Sequence, residues 1–452
     1  MSILLSLLIL VSFIFLGLEW MYPCLILFAG TLMGMGVIAM GTGESERRFV
    51  METCFAALLL RICLILPFFI LSYTGEGFHP GSYFATDGYA YSQNGWQIAQ
   101  AWQKGVAIDS KLLFTTLTGS APGAYEYWNA FIYSFTGGSP LPLFFINSLI
   151  GVASSLAVFF FTKKFFGIKS AKIALLLSAF CPSLVFWSTQ NLKDPVINLV
   201  IFTLIWSVIE IHRRPNFWFI LVGLCSSFVL MKLRSQVFIL IFLIVPIWLV
   251  TRTFLYKKMK PILLILVISV GAFKGIQIQE TLRHTMEQKT MENAPKIFSR
   301  DTGSFVEWAH YLREVRATGG SAFLKGFDLR SPKKFILFLP LTVIYCLFAP
   351  FPWQGGGGLF SFLAVFEMSL LYLFFPYIVR GIRYALKSQR DQTDLILLTF
   401  FCISLLLVII ESNVGTLFRH RSMILYFILI FLAVGLSESK KIGIPEEPGA
   451  PQ

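Results

Sequence analysis

The sequence lacks the short motifs by which soluble enzymes commonly hold nucleotides, metals or catalytic nucleophiles. It contains no P-loop, no glycine-rich nucleotide-binding motif and no G-x-S-x-G. Its seven cysteines form no C-x-x-C, its five histidines show no H-E-x-x-H spacing, and neither D-x-D nor E-x-D occurs. We therefore predict no metal site, no bound cofactor and no disulfide framework, with the cysteines packed as small apolar side chains.

Charged residues are also scarce, at 13% of the chain against 56% hydrophobic residues and a mean hydropathy of +0.73. This composition excludes a soluble globular protein, and the apolar runs repeat at about 20 residues, the length of a transmembrane helix. The short alternating segments of a β-barrel are missing. We predict an all-α polytopic membrane protein with about 12–13 transmembrane or re-entrant helices.

The net charge of +13 comes mainly from clusters of lysine and arginine between apolar runs. Membrane orientation explains such clusters, so we predict no nucleic-acid partner. The clusters indicate a multi-pass membrane protein with both termini cytoplasmic and a retained first span at 3–20. Residues 1–438 would form the membrane domain, with a large outer loop at 74–139 and a second polar segment at 277–334. Residues 439–452 would form a disordered cytoplasmic tail, and 335–358 a re-entrant segment.

The outer loop begins with ATDGYAYS, which places Asp87 just outside a span. Two amphipathic helices follow. One carries a stripe of Tyr91, Gly95, Ile98 and Trp102, and the other a stripe of Tyr125, Trp128, Ile132 and Phe135. Helices that are aromatic on one face suit the bilayer interface. They either anchor the loop or shape a groove for a lipid-linked substrate, and the two roles are compatible.

Several cations are predicted on the outer side, against the orientation rule. They are Arg234 in KLRSQ, and Arg419 and Arg421 in FRHRS. Arginine binds phosphate through two parallel hydrogen bonds, and a carboxylate can deprotonate an acceptor hydroxyl. The same face would hold Asp194, read either as a helix cap before Pro195 or as a second acid. Together these groups indicate chemistry on a lipid phosphate or pyrophosphate.

The order of these features resembles the C-type integral membrane glycosyltransferases, of the protein mannosyltransferase or aminoarabinose transferase type. The features are DGYAY, the two loop helices, KKFFGIKSAKIALLLSAFCPSLVFWSTQNLKD, the arginine of KLRSQ and NVGTLFRHR. The resemblance covers roughly residues 80–240. It implies a protein of a bacterial inner membrane and a polyprenyl-phosphate sugar donor, with Asp87 as general base and Asp194 as a further acid. The chain departs from many members in having two spans, not one, before the span that feeds the acidic loop.

Three functions follow from these patterns. The first is sugar transfer from a polyprenyl-phosphate donor to a lipid-linked or envelope acceptor, glycan, lipid or protein, at the outer face of the membrane. Its predicted catalytic residues are Asp87 and Asp194, its phosphate-binding residues Arg234, Arg419 and Arg421, and its substrate-groove residues Tyr89, Tyr91, Trp353, Gln354 and Asn413. The second function is an O-antigen or exopolysaccharide polymerase or ligase, because the late arginines resemble its pyrophosphate-binding residues. The third is a lipid-linked glycan transporter or flippase, favoured only by Glu367 within a span and opposed by the absence of clear internal repeats.

Overall fold

The computed structural model describes residues 21–74, 86–106, 123–256, 310, 313, 332–354 and 359–439. Nearly all of these residues are helical, and no β-sheet occurs among them, which confirms the predicted all-α class. The helices are α1 (Met21–Gly41), α2 (Glu44–Thr74), α3 (Thr86–Lys104), α4 (Ala124–Thr136), α5 (Leu141–Phe180), α6 (Pro182–Ser188), α7 (Asp194–Arg213), α8 (Phe217–Leu233), α9 (Ser235–Tyr256), α10 (Pro332–Phe348), α11 (Leu359–Leu373), α12 (Phe375–Ser388), α13 (Arg390–Ile410), α14 (Val414–His420) and α15 (Ser422–Ser439). A short 3₁₀ turn, Pro352–Gln354, lies between α10 and α11.

Four of these helices, α1, α5, α7 and α13, are long and apolar enough to cross a membrane. Two further pairs pass the same test when taken together, α11 with α12, bent by 56°, and α14 with α15, bent by 59°. The predicted count of 12–13 stays a prediction, because the spans expected at 3–20 and 262–276 lie outside the described residues. The tail and almost all of the second polar segment lie outside them as well.

The chain forms two compact units. The first contains residues 1–206, 371–389 and 425–452, and the second contains 207–370 and 390–424. In the first unit, α1, α2 and α5 share an apolar core that includes Ile38, Val50 and Phe159. In the second unit, α9 packs against α8 and α13, and α10 packs against α13.

Helix α5 changes direction at Gly167, whose backbone has φ 83° and ψ 170°. A positive φ is easily adopted only by glycine, so this residue allows the sharp break. The break falls within the basic run KKFFGIKSAK. A second break at Cys181 precedes Pro182, which begins α6.

Helices α3 and α4 confirm the two helices predicted in the outer loop. Gly95 of α3 lies against Asn129 of α4, where a side chain on residue 95 would collide. Of the predicted aromatic stripe of α4, Trp128 and Phe135 are exposed, as suits the bilayer interface, whereas Tyr125 is buried beside Glu126 and Asn129. The exposed aromatic face of α4 consists of Tyr127, Trp128, Phe131 and Phe135. Apolar rings on an outward surface suit contact with lipid at the interface.

Helix α12 is amphipathic and is bent by 56° from α11. It buries a stripe of Ile378, Gly381 and Ala385 and exposes Arg380, Arg383 and Lys387. Its buried stripe crosses α15, and Gly381 and Gly435 bring the two backbones together. A methyl group on Gly381 would overlap the carbonyl oxygen of Phe431, and one on Gly435 would overlap that of Tyr377. The crossing therefore depends on two glycines.

Candidate functional site

Three carboxylates gather at one place in the first unit, and we call them the acidic cluster: Asp87, Glu126 and Asp194. Asp87 is half-buried in the first turn of α3, Glu126 is buried on α4, and Asp194 is fully buried at the start of α7. Burial raises the pKa of Glu126 above its usual range, and the nearby Asp87 charge raises it further, while Lys193 acts against both. The structure thus brings the two acids predicted from the sequence into the neighbourhood of a third.

Tyr125 lies close enough to Asp194 and Glu126 for their charges to act on it. Its buried hydroxyl has a raised pKa, chiefly because of desolvation, with the charges of Asp194 and Glu126 adding to the rise. The ring of Tyr91 meets the ring of Tyr125 edge-on, with centroids 5.1 Å apart. The ammonium of Lys193 lies 5.8 Å from the centroid of the Tyr91 ring, within cation–π range. Tyr91, predicted to line the substrate groove, therefore contacts residues that flank Glu126 and Asp194. Tyr89, predicted for the same groove, is half-buried on the same helix.

The segment that leads into Asp194, residues 189–193, is held by side chains from two helices. Asn147 Nδ2 of α5 donates to the carbonyl oxygens of Gln190 at 2.7 Å and Leu192 at 2.9 Å. The Tyr125 hydroxyl lies 2.9 Å from the Leu192 carbonyl oxygen and 3.1 Å from Asn191 Oδ1. Asn147 Nδ2 also donates to the Tyr125 hydroxyl, at 3.1 Å. These bonds fix the start of α7 and with it the carboxylate of Asp194.

Replacing Asn147 with leucine is expected to destabilise the protein. The substitution removes one hydrogen bond from each of two buried carbonyl oxygens, which keep the Leu192 amide and the Tyr125 hydroxyl as their other donors, and each lost bond costs about 0.5–1.5 kcal/mol. We expect a melting temperature lower by a few degrees in detergent solution. Ser148→Ala is the matched control, because the Ser148 hydroxyl makes one long bond of 3.3 Å to the Ser188 carbonyl. An Asn147→Leu variant that melts with the wild type would contradict this account.

The second unit holds four arginines and one histidine around one buried carboxylate, and we call them the basic cluster: Arg234, Arg313, Arg419, His420 and Arg421 around Glu411. Glu411 is fully buried, and its Oε1 lies 2.7 Å from His420 Nδ1. Arg313 Nη1 donates to the carbonyl oxygens of Glu411 at 2.7 Å and Val408 at 3.1 Å. Burial lowers the pKa of Arg313 to about 10, and the charge of Glu411 opposes that change. Cations outnumber anions here, so the cluster favours an anionic ligand.

The three predicted phosphate-binding arginines all lie in this cluster but differ in their contacts. Arg234 and Arg419 lie close enough to His420 for their charges to act on its imidazole. Arg421 instead donates to the backbone at the end of α10, from Nη1 to the Leu347 carbonyl at 3.0 Å and from Nη2 to the Ala349 carbonyl. Two of its donors therefore hold a turn of the chain. The phosphate-binding role of all three arginines stays a prediction.

The other predicted groove residues of the second unit have varied surroundings. Asn413 Oδ1 accepts hydrogen bonds from the backbone amides of Gly415 at 2.8 Å and Thr416 at 3.4 Å, and so caps α14. Trp353 is 80% exposed, and its ring stacks on Phe351 with centroids 5.0 Å apart. The side chain of Gln354 lies outside the described residues. Glu367, the acid that favoured a transporter, is buried within α11.

Sequence reasoning missed two residues that the structure places in these clusters. Glu126 is the only acid in the run GAYEYWNAF, and it would have stood out as a lone carboxylate among aromatic residues. Arg313 lies in a segment of mixed charge that was expected to be solvated, and nothing in its spacing distinguishes it. Across the described ranges, no group of three or more histidine, cysteine or acidic side chains is arranged to hold a metal ion.

Comparisons with known proteins find a matching family model and similar solved structures. Residues 120–274 match the model of a family described as dolichyl-phosphate-mannose-protein mannosyltransferase. No curated protein sequence matches the chain. The chain is similar to the crystal structure of ArnT from Cupriavidus metallidurans bound to undecaprenyl phosphate, with 14% identity and a TM-score of 0.48. The apo structure of the same protein gives 12% identity and a TM-score of 0.46.

The chain spans about three fifths of the length of the ArnT chain. The two ArnT alignments cover 85% of this chain but only 62% and 60% of the ArnT chain. The family match takes in α4 through α9, and with them Glu126, Asp194 and Arg234. The resemblance to the protein mannosyltransferases, predicted from the sequence, is confirmed over residues 120–274.

Proposed function

We propose that this protein is a membrane glycosyltransferase that moves a sugar from a polyprenyl-phosphate donor to the hydroxyl group of an acceptor. The observation that carries the proposal is the family match over residues 120–274, which includes two of the three carboxylates of the acidic cluster. The proposed setting is the bacterial inner membrane, with both termini cytoplasmic, chemistry at the outer face, and a lipid-linked or envelope acceptor.

The acidic cluster supports a role in activating the acceptor. Asp87 is the most accessible of the three acids, since Glu126 and Asp194 are buried. In the proposed step, Asp87 takes the proton of the acceptor hydroxyl as its oxygen attacks the anomeric carbon. The bond between that carbon and the phosphate oxygen breaks, and the phosphate leaves with the electron pair. Because Glu126 holds its proton more tightly than an ordinary glutamate, repulsion between it and Asp87 is reduced.

The basic cluster supports a role in holding the donor phosphate. The negative charge of the phosphate increases as the sugar departs. Guanidinium groups stabilise this charge through short, strong hydrogen bonds. The proposed phosphate contacts come from Arg234, Arg419 and Arg421, of which Arg421 also holds the Leu347 and Ala349 carbonyls. His420, held by Glu411 through Nδ1, is a fourth donor candidate in the same cluster.

The test is sugar transfer in membranes that contain the wild-type protein, with a panel of polyprenyl-monophosphate and polyprenyl-pyrophosphate sugars. We expect transfer from a monophosphate donor. Transfer from pyrophosphate donors alone would favour the polymerase or ligase function. Movement of an intact lipid-linked glycan across the bilayer without any bond cleavage would favour the flippase.

Substituting Arg419 with glutamine is expected to raise the KM for the donor. Loss of a charge-assisted hydrogen bond to phosphate weakens binding by about 10- to 100-fold, and the acceptor KM should change little. Steady-state kinetics with each substrate varied in turn measure both constants. Arg383→Gln, on the exposed side of α12, is the matched control and should behave as the wild type. If the two variants have the same donor KM, Arg419 does not bind the phosphate.

A further inference from the structure

Arg61 lies in the middle of α2 within the apolar run LLLRICLIL, and it is fully buried. Neither cluster uses it. Its hydrogen bonds, among the described residues, all go to neutral acceptors: the Ala57 carbonyl at 2.9 Å, the Ala179 carbonyl at 3.0 Å and Ser188 Oγ at 2.8 Å. A buried cation without a carboxylate partner is costly, so a cation retained at such a place indicates a function.

Two of these acceptors lie on either side of the break between α5 and α6. Ala179 is in the last turn of α5, and Ser188 is the last residue of α6; Cys181 and Pro182 lie between them. A proline in the first turn of α6 has no amide hydrogen, so carbonyl groups in the last turn of α5 lose their helical partners. The Arg61 guanidinium supplies one of the missing donors through Nη1 and holds the far end of α6 through Nε.

The contact between Arg61 and Ser188 requires a glycine on α5. A side-chain carbon built on Gly151 would lie 2.7 Å from Ser188 Cβ and 3.3 Å from Arg61 Nε. The backbone carbonyl of Ser188 also accepts a bond from Ser148 Oγ, one helical turn from Gly151. Helix α6 is thus fixed from α2 and α5 at the residue where the segment to Asp194 begins.

We propose that Arg61 is a positioning residue that fixes α6 and, through it, the segment 189–193 and the carboxylate of Asp194. Asn147 and Tyr125 hold the middle of that segment, and Arg61 holds its beginning. The kinetic part of the test rests on the proposed glycosyltransferase function. The structural part does not depend on it.

The experiment compares amide hydrogen exchange in Arg61→Met, Arg61→Lys and Ser188→Ala with the wild type, in detergent. Arg61→Met should raise exchange over residues 182–194 by about tenfold or more, since it removes two charge-assisted hydrogen bonds. Exchange in α8, in the second unit, should not change. Ser188→Ala, which keeps the bond to Ala179, should give a smaller rise over the same residues. Arg48→Met is the matched control, because Arg48 is exposed on the same helix and pairs with Glu52.

The kinetic constants kcat and KM distinguish a positioning role of Arg61 from a general loss of stability. We expect Arg61→Met and Ser188→Ala to lower kcat with the donor KM unchanged, and Arg61→Lys to restore little because lysine cannot reach both acceptors at once. Unchanged exchange over 182–194, a rise spread evenly over the chain, or a lysine variant equal to wild type would each overturn the proposal. If wild type transfers no sugar while the exchange result holds, the proposed function fails and the positioning role of Arg61 stands.

Discussion

Replacing Asp87 with asparagine is expected to lower kcat by about 10²- to 10⁴-fold, the usual contribution of a general base. Asparagine keeps the shape of the side chain and cannot accept the proton of the acceptor hydroxyl. Binding of the donor should change little, because the proposed phosphate contacts belong to the basic cluster. Sugar transfer from a labelled polyprenyl-phosphate donor, measured on equal amounts of inserted protein, gives kcat directly.

Two further variants make the Asp87 result specific. Glu52→Gln removes an exposed acid of α2 and should leave kcat unchanged. Glu126→Gln should cost far less than Asp87→Asn, because burial already favours the protonated form of Glu126. Full activity of the asparagine variant would remove Asp87 from the mechanism, and the basic cluster would then be the place to seek the chemistry.

Replacing Gly435 with alanine is expected to cost several kcal/mol of stability, because the added methyl group would overlap the Tyr377 carbonyl oxygen. Backbone cannot move aside as a flexible side chain can, so α12 and α15 would have to separate. We expect a much lower melting temperature, or no folded protein after extraction in mild detergent, as measured by size-exclusion chromatography.

Gly34→Ala is the control for this substitution. Gly34 lies within α1 and has nothing within 4 Å of the position that its side chain would occupy. Alanine is the better helix former, so the control should be as stable as the wild type or slightly more stable. Equal stability of Gly435→Ala and Gly34→Ala would show that the crossing of α12 and α15 is looser than the structure describes.

Local patterns in the sequence predicted the parts of the fold that depend on neighbouring residues. The two helices of the outer loop follow from helical periodicity, whereas the break at Gly167 was not predicted. The buried face of α4 did not follow from its pattern. The sequence analysis placed Tyr125 on one stripe with Trp128 and Phe135, whereas in the structure Tyr125 is buried beside Glu126 and Asn129 while the other two rings face outward.

The basic cluster was predicted only in part, because some of its contacts join residues that are far apart in the sequence. Arg234, Arg419 and Arg421 were found because each lies next to a span, against the usual orientation of charge. Arg313 contacts the Glu411 carbonyl from 98 residues away in the chain, and no local spacing predicts such a pairing. The contacts that Arg421 makes with Leu347 and Ala349 are equally remote in sequence, so its part in holding the chain was not foreseen.

The exposed aromatic face of α4 has a consequence for the choice of acceptor. Tyr127, Trp128, Phe131 and Phe135 lie on one side of this helix, and Glu126 lies on the buried side. A helix is about 10 Å across with its side chains, so where these rings rest among lipid headgroups, Glu126 lies about that far from the plane of contact. An acceptor tethered to the bilayer can bring its hydroxyl to that height with a short linkage. A freely dissolved glycan gains nothing from the surface, so tethered acceptors should be used in preference to soluble ones.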